Sequence, residues 1–332
     1  MRVHLFIITL FVCVSSCDEP ITLAQKDYFL SDGVLIANEG NFQWGNASVS
    51  FYDSENDTLI QELFQAVNQR PLGDVLQSIT LNDSKAYLVM NNSGKVEVVD
   101  KNSFELQHTI SGFVSPRYFH IASSDKAYVT DLYADKIAVI DLNSNEIVRY
   151  IPCEGWTEEM IQIDDLVYVA NLDSNQINVI NVKQDLIVNR IPVSTSIKSL
   201  KIDLQNRLWV CGSENGLGSV YCIDPNTSDV LYHHTFEGEN PRDLFVSDDG
   251  QNVYFLSNGV WRIDMGSTSA TLMIPAEGGV FYGLAVNHGK MYVSDAINYV
   301  QKGTVWVYDL QRNLLDEWEV GVIPSEFDFI EP

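Results

Sequence analysis

The sequence predicts an all-β fold: a seven-bladed β-propeller with four-stranded blades, closed by pairing of the N- and C-terminal strands in one blade. Three observations carry this expectation. An aromatic residue recurs in a short apolar segment at Tyr87, Tyr128, Tyr168, Trp209, Tyr254 and Tyr292, with gaps of 41, 40, 41, 45 and 38 residues. A short alternating or apolar run ending in Asp or Asn follows each of them: Val98-Val99-Asp100, Val139-Ile140-Asp141, Val179-Ile180-Asn181, Cys222-Ile223-Asp224, Arg262-Ile263-Asp264 and Val307-Tyr308-Asp309. Phe51-Tyr52-Asp53 supplies a seventh copy. Finally, the units lack the i, i+3, i+4 apolar spacing of a helix over a dozen positions. A period of roughly 40 to 50 residues built from short strands marks a propeller blade.

Residues 116–152 show the grammar of one unit. Tyr118–Ala122 reads as an inner strand, Lys126–Thr130 as the second, Lys136–Asp141 as the third and Ile147–Ile151 as the fourth. Ser123-Ser124-Asp125 and Asn143-Ser144-Asn145 supply turns between them. Residues 58–69 are the one stretch suited to a helical turn.

The termini show how the ring closes. The first unit opens at Gly33 with a second strand, Val34–Asn38, and lacks an inner strand. The stretch Ile323–Ile330 reads as a lone strand after the sixth complete unit. Joining the two completes a seventh blade and hides the sheet edges.

Ahead of the repeats, residues 1–16 read as a lipoprotein signal peptide and residues 17–32 as a lipidated Cys17 with a short tether, leaving 33–332 as the propeller. Met1-Arg2-Val3-His4 gives a positive start, and Leu5–Val14 is apolar apart from Thr9. That run is shorter than the ~20 apolar residues a membrane span requires. Val14-Ser15-Ser16-Cys17 has the lipobox order of an apolar residue, two small residues and Cys. Asp18-Glu19 looks like the acidic export tag of surface lipoproteins in Bacteroidetes-type bacteria. The expected location is the outer membrane, lipid-anchored and exposed at the cell surface.

The balance of charge excludes one class of partner. Lys and Arg number 20 against 45 Asp and Glu, a net charge of -25. Such a surface repels phosphate backbones, so nucleic acid is not an expected partner. Beyond Cys13 and Cys17 only Cys153, Cys211 and Cys222 remain. An odd number without C-x-x-C spacing argues against a disulfide framework or a zinc site, so these read as small buried hydrophobes.

The chain is read as a binder, not an enzyme. It has no G-x-S-x-G, H-E-x-x-H or C-x-x-C motif. No catalytic residue, catalytic cofactor or metal is expected. Glu158-Glu159 and Asp164-Asp165 read as ordinary pairs of an acidic surface. Asp173 and Asp295 with nearby carbonyls could hold a calcium ion, though no dense D-x-D-x-D run surrounds them.

One face of the ring is chemically richer than the other. The turns Asn82-Asp83-Ser84 and Pro225-Asn226-Thr227 of the opposite face need no further explanation. Loops between second and third strands, and connections between blades, share the richer face. They carry Asn38, Phe42, Trp44, Asn92, Tyr133, Asn171, Asp295 and Tyr299 in the first set, and Arg117, Trp156, Arg242 and Tyr282 in the second. Loops do not require Trp44, Tyr133, Trp156 or Tyr299. Aromatic, amide and guanidinium groups together suit a large, flat, polar-rimmed ligand, so these twelve residues are the candidate site. Arg117 and Arg242 stand either as ligand contacts or as partners of acidic neighbours such as Asp131 and Asp243.

The loops also resemble a known family. Asn38-Glu39-Gly40-Asn41-Phe42, Gly45-Asn46-Ala47-Ser48, Pro71-Leu72-Gly73-Asp74-Val75, Asn91-Asn92-Ser93, Ser115-Pro116-Arg117-Tyr118, Lys126–Thr130, Tyr282-Gly283-Leu284 and Ser294-Asp295-Ala296-Ile297 are similar to YncE-like, DUF5074-type propeller lipoproteins of Bacteroidetes, and among them to the BtuG-like cobalamin-binding surface proteins. The similarity runs from about Gly33 to Phe327. The resemblance implies capture of a corrinoid (cobalamin, vitamin B12) and its delivery to a BtuB-like TonB-dependent outer-membrane transporter. The middle blades depart from that pattern: Asn171–Asn175 and Gly212–Ser219 are plain and short where cobalamin binders carry long aromatic and glycine-rich loops. The alternative reading is an interaction propeller that docks an outer-membrane barrel with a different small ligand or none.

Overall fold

A computed structural model describes residues 28–331. The signal segment and Cys17 lie outside the described residues. Seven antiparallel four-stranded sheets follow one another. The first strand of each sheet packs against the first strand of the next, and the chain of contacts returns to its start, so the sheets form a closed seven-bladed propeller. Six blades are sequential, spanning 76–111, 116–152, 157–192, 196–237, 242–275 and 281–322.

The seventh blade mixes the termini as the sequence led us to expect. Pro324–Ile330 is its inner strand and pairs antiparallel with Gly33–Asn38, in a register running from Gly33↔Ile330 to Asn38↔Pro324. Ser48–Asp53 and the short Thr58–Ile60 complete it. The helical turn is present as Leu63–Asn68. Leu63, Phe64 and Val67 are buried with Phe51, Leu76 and Phe104, so the helix fills the wedge between the closing blade and its neighbour.

Position within the blade decides strand chemistry. Second and third strands are covered on both faces by adjacent blades, so they read as near-continuous apolar runs rather than alternating ones. Leu166–Asn171 and Gln176–Asn181 have buried residues at nearly every position. Fourth strands form the rim, and Glu146–Pro152 is mostly exposed. The recurring aromatics are core spacers between blades. All six are buried. Tyr87 stacks on Phe119 of the next blade at 4.2 Å between centroids, and Trp209 donates its Nε1–H to Asp203 at 2.8 Å.

Cys153, Cys211 and Cys222 are unpaired and buried, as their spacing suggested. Burial pushes the Cys153 thiol up to about 11 and the Cys222 thiol up to about 12, so neither is a thiolate at neutral pH. Among the described residues no helix is long and apolar enough to cross a membrane.

Two substitutions separate ring closure from local packing. Deleting residues 323–332 removes the inner strand of the mixed blade and is expected to abolish the cooperative thermal transition seen by circular dichroism. Phe51→Ala is expected to cost about 3–5 kcal/mol in urea denaturation while the transition stays cooperative.

Candidate functional site at the channel mouth

The first strand of every blade breaks register near its head. The pairing skips between Leu76 and Ser78, Pro116 and Phe119, Thr157 and Met160, Ile197 and Ser199, Arg242 and Phe245, and Phe281 and Leu284. In the mixed blade the skipped residue is Ser325. A bulge carries extra residue that the ladder leaves unpaired and re-aims its side chain. Here the skipped residues include Gln77, Arg117, Tyr118, Glu159, Lys198, Asp243, Tyr282 and Ser325, and all of these line one cavity at the centre of the ring. The cavity has a volume of about 510 Å³ and opens on the richer loop face. Glu39, Lys201, Arg242, Phe245, Leu284, Tyr299, Glu326 and Phe327 complete its wall.

The charged groups of this wall bridge adjacent blades. Glu158 accepts from the guanidinium of Arg117 at 2.8 Å. Arg117 also donates to Gln77 and lies over the Trp156 ring at 5.6 Å. The Trp156 indole N–H donates to Glu158, so the Trp–Glu–Arg cluster fixes one side of the mouth. Glu159 accepts from the Leu200 backbone N–H at 2.7 Å and the Ser199 hydroxyl at 2.8 Å, and pairs with Lys201 at 3.3 Å. On the other side the Tyr282 hydroxyl donates to both Glu39 carboxylate oxygens, at 3.1 and 3.2 Å. Tyr299 meets the Tyr282 ring edge-on at 5.7 Å, and Arg242 lies over that ring at 5.9 Å while donating to the Phe281 carbonyl.

Burial in the channel raises several carboxyl groups toward neutral pH. Burial raises Glu39 from 4.5 to about 7, against the opposing hydrogen bond from Tyr282. Burial raises Asp243 from 3.8 to about 7, against the Arg242 charge. Deeper in, Asp328 is raised to about 7 and Glu326 also goes up, both through burial. At neutral pH these groups act partly as O–H donors rather than fixed negative charges.

The twelve candidate residues divide into three sets. Arg117, Arg242, Tyr282 and Tyr299 line the cavity, and Trp156 supports it from behind Arg117. Phe42, Trp44 and Tyr133 stand on loops of the same face and are 62%, 69% and 73% exposed; Tyr299 is 45% exposed. Asn92 is also exposed and donates to Asp74 at 2.6 Å. The third set does not reach the site. Asn38 is fully buried and donates to Ser50 Oγ at 3.0 Å. Asn171, equally buried, donates to the Glu154 carbonyl at 2.7 Å and caps Ser174. Asp295 is buried and accepts from the Val280 and Ile297 backbone N–H groups. Asx chemistry at the ends of second strands explains Asn171 and Asp295 as turn residues, whereas Asn38 donates across the ladder to Ser48 and Ser50.

Two further expectations are corrected. Glu158-Glu159 is not an exposed surface pair: Glu158 is buried and Glu159 faces the cavity. Asp131 is not the partner of Arg117; it accepts from the backbone N–H of Val114 and Ser115 at 3.0 and 2.9 Å. Among the described residues no cluster of three His, Cys, Asp or Glu side chains is arranged to hold a metal ion.

Fold and site define a seven-bladed propeller with a polar pocket at the mouth of its central channel. The chain belongs to the family described as a domain of unknown function, DUF5074, whose sequence profile matches residues 32–321. No curated protein matches the sequence. Among solved structures it is similar to a quinonprotein alcohol dehydrogenase-like protein from Bacteroides thetaiotaomicron VPI-5482, with a TM-score of 0.72 and 16% identity over 92% of this chain and 79% of that one. It is also similar to a putative 6-phosphogluconolactonase from Bacteroides fragilis NCTC 9343, with a TM-score of 0.68 and 13% identity over 91% and 98% of the two chains. Virginiamycin B lyase from Staphylococcus aureus aligns with a TM-score of 0.59 and 13% identity over 73% and 83%. At these identities the likeness is one of fold.

The raised carboxyl groups set the sign of the pH dependence. Because Glu39 and Asp243 titrate near 7 when folded and near 4.5 and 3.8 otherwise, the folded chain holds more protons between those limits. Their contribution to stability is complete below the unfolded values and is lost as pH rises through the folded ones. The melting temperature is expected to fall between about pH 5 and about pH 8, and to fall less in the Glu39→Gln, Asp243→Asn double variant.

Proposed function

We propose that this protein captures a corrinoid on the loop face of the propeller without chemical turnover and passes it to a TonB-dependent outer-membrane transporter. The observation that carries the reading is the set of exposed rings, Phe42, Trp44, Tyr133 and Tyr299, on the face where the polar cavity opens. Large apolar groups left in water mark a surface that meets a partner. Flat rings suit a macrocycle, and the wall of guanidinium, ammonium, hydroxyl and carboxyl groups beneath suits a fringe of amides. The cavity has the size that encloses a small organic group, so the macrocycle rests on the aromatic loops and lowers polar substituents into the mouth.

The same reading assigns the protein to the outer surface of the outer membrane, anchored through lipid on Cys17. Its partners are then the corrinoid and a BtuB-like barrel. The repulsive net charge of -25 holds the propeller off an anionic membrane surface.

Calorimetric titration of the purified protein with cyanocobalamin, with haem as control, tests the proposal. One-to-one binding of the corrinoid alone is expected. A Trp44→Ala, Tyr133→Ala variant is expected to bind at least about tenfold more weakly with an unchanged melting temperature, because both rings are exposed. Absence of binding in the unmodified protein overturns the corrinoid assignment. A pull-down that recovers a barrel without any corrinoid dependence would favour the docking alternative.

A further inference from the structure

The cations of the channel mouth are not equally matched. Arg117 is paired with Glu158, and Lys201 with Glu159. Lys198 lines the same cavity, extruded by its bulge, and makes no hydrogen bond or ion pair with any described residue. Arg242 spends a donor on the Phe281 carbonyl but has no carboxylate partner within ion-pair distance among the described residues. The two belong to adjacent blades. The Leu244 backbone N–H donates to Ser199 Oγ at 3.1 Å and ties the two strand heads together, and the Arg242 and Asp243 charges both act on Lys198. Asp243 faces the cavity in a left-handed backbone conformation, φ 49°, and its Oδ2 is buried without a partner. A strained non-glycine residue with an unsatisfied buried oxygen is costly unless something completes it.

We propose that Lys198 and Arg242 form an oxyanion subsite in the cavity, receiving a carboxylate or phosphodiester group of the bound molecule, with the Asp243 carboxyl group completing its hydrogen bonds. The proposal rests on the loop face being the ligand face and specifies which chemical group enters the mouth. An ammonium and a guanidinium on the wall of one cavity repel one another and are both satisfied by one shared anion. The neighbouring acids do not fill that role. Burial raises Asp243 and Glu39 to about 7, so near neutral pH they are partly protonated and in that form donate to an incoming oxyanion instead of competing with it. Burial and the Arg242 charge also lower Lys198, which makes its amine the one in the channel best able to react as a free base.

The test needs no assumption about the physiological ligand. Lysines of the full-length protein are labelled with a limiting amine acylating reagent at neutral pH, and the extent at Lys198 is read by peptide mass spectrometry. Inorganic phosphate or acetate is added in separate arms, which distinguishes a phosphate from a carboxylate preference. At least one anion is expected to protect Lys198 saturably while exposed lysines such as Lys183 are unchanged. Arg242→Gln is expected to raise the half-protecting concentration about tenfold, the loss of one charge-assisted hydrogen bond. Its melting temperature serves as the folding control. No protection by either anion, or equal protection in Arg242→Gln, overturns the subsite. Cyanocobalamin in a parallel arm separates the two readings: if it binds by calorimetry while Lys198 stays unprotected, the subsite falls and corrinoid capture stands. If phosphate protects and cyanocobalamin does not bind, corrinoid capture falls and the subsite stands.

Discussion

The inner edge of each blade imposes the constraint on which the rest of the structure depends. A first strand has a partner on one side only, and seven such edges converge around one channel. Their backbone groups require partners in a confined space. Side chains of adjoining blades supply many of them. Glu159 takes the Leu200 N–H, Glu326 takes the Ile79 N–H at 2.8 Å, and Ser199 takes the Leu244 N–H. In the reverse direction Ser78 donates to the Arg117 carbonyl and Thr80 to the Phe119 carbonyl, at 2.8 and 2.7 Å. Polar residues on first strands are therefore part of the fold before they are part of any site. The bulge at the head of each strand turns some of them toward the open mouth, where the same chemistry becomes available to a ligand.

The outer architecture was legible in the sequence because it depends on apolar runs. Second and third strands are buried on both faces, so the recurring Tyr or Trp and the run before Asp or Asn survive as a visible repeat. The split blade was legible because the first repeat unit opens at Gly33 on second-strand chemistry without an inner strand, and Pro324–Ile330 reads as a lone strand following the sixth complete unit. The face carrying the cavity was legible from its surplus of aromatics, and Arg117, Arg242, Tyr282 and Tyr299 do line it.

Most of the cavity wall lies outside the loops. Glu159, Lys198, Lys201, Asp243 and Glu326 sit within strands, where loop-based reasoning does not look. Their signal was present as broken alternation: Thr157-Glu158-Glu159, Arg242-Asp243 and Ile197-Lys198-Ser199 place polar groups in succession or out of phase at strand heads. In a simple strand neighbouring side chains point to opposite faces, so such runs look like surface residues. A bulge reconciles them with a channel, and pairing register is a property of two strands that no single segment reveals. Conversely Asn38, Asn171 and Asp295 looked available because Asx residues that satisfy the backbone or a neighbouring strand and Asx residues that bind a ligand have the same composition.

In the proposed function, recognition takes place at this channel mouth and the loops around it. Hydrogen–deuterium exchange of the purified protein with and without saturating cyanocobalamin tests it most directly. Slowed exchange is expected at the heads of the first strands and in the loops bearing Phe42, Trp44, Tyr133 and Tyr299, with the opposite-face turns near Asn82 and Asn226 unchanged. Slowed exchange confined to those turns or to the exposed fourth strands would contradict it.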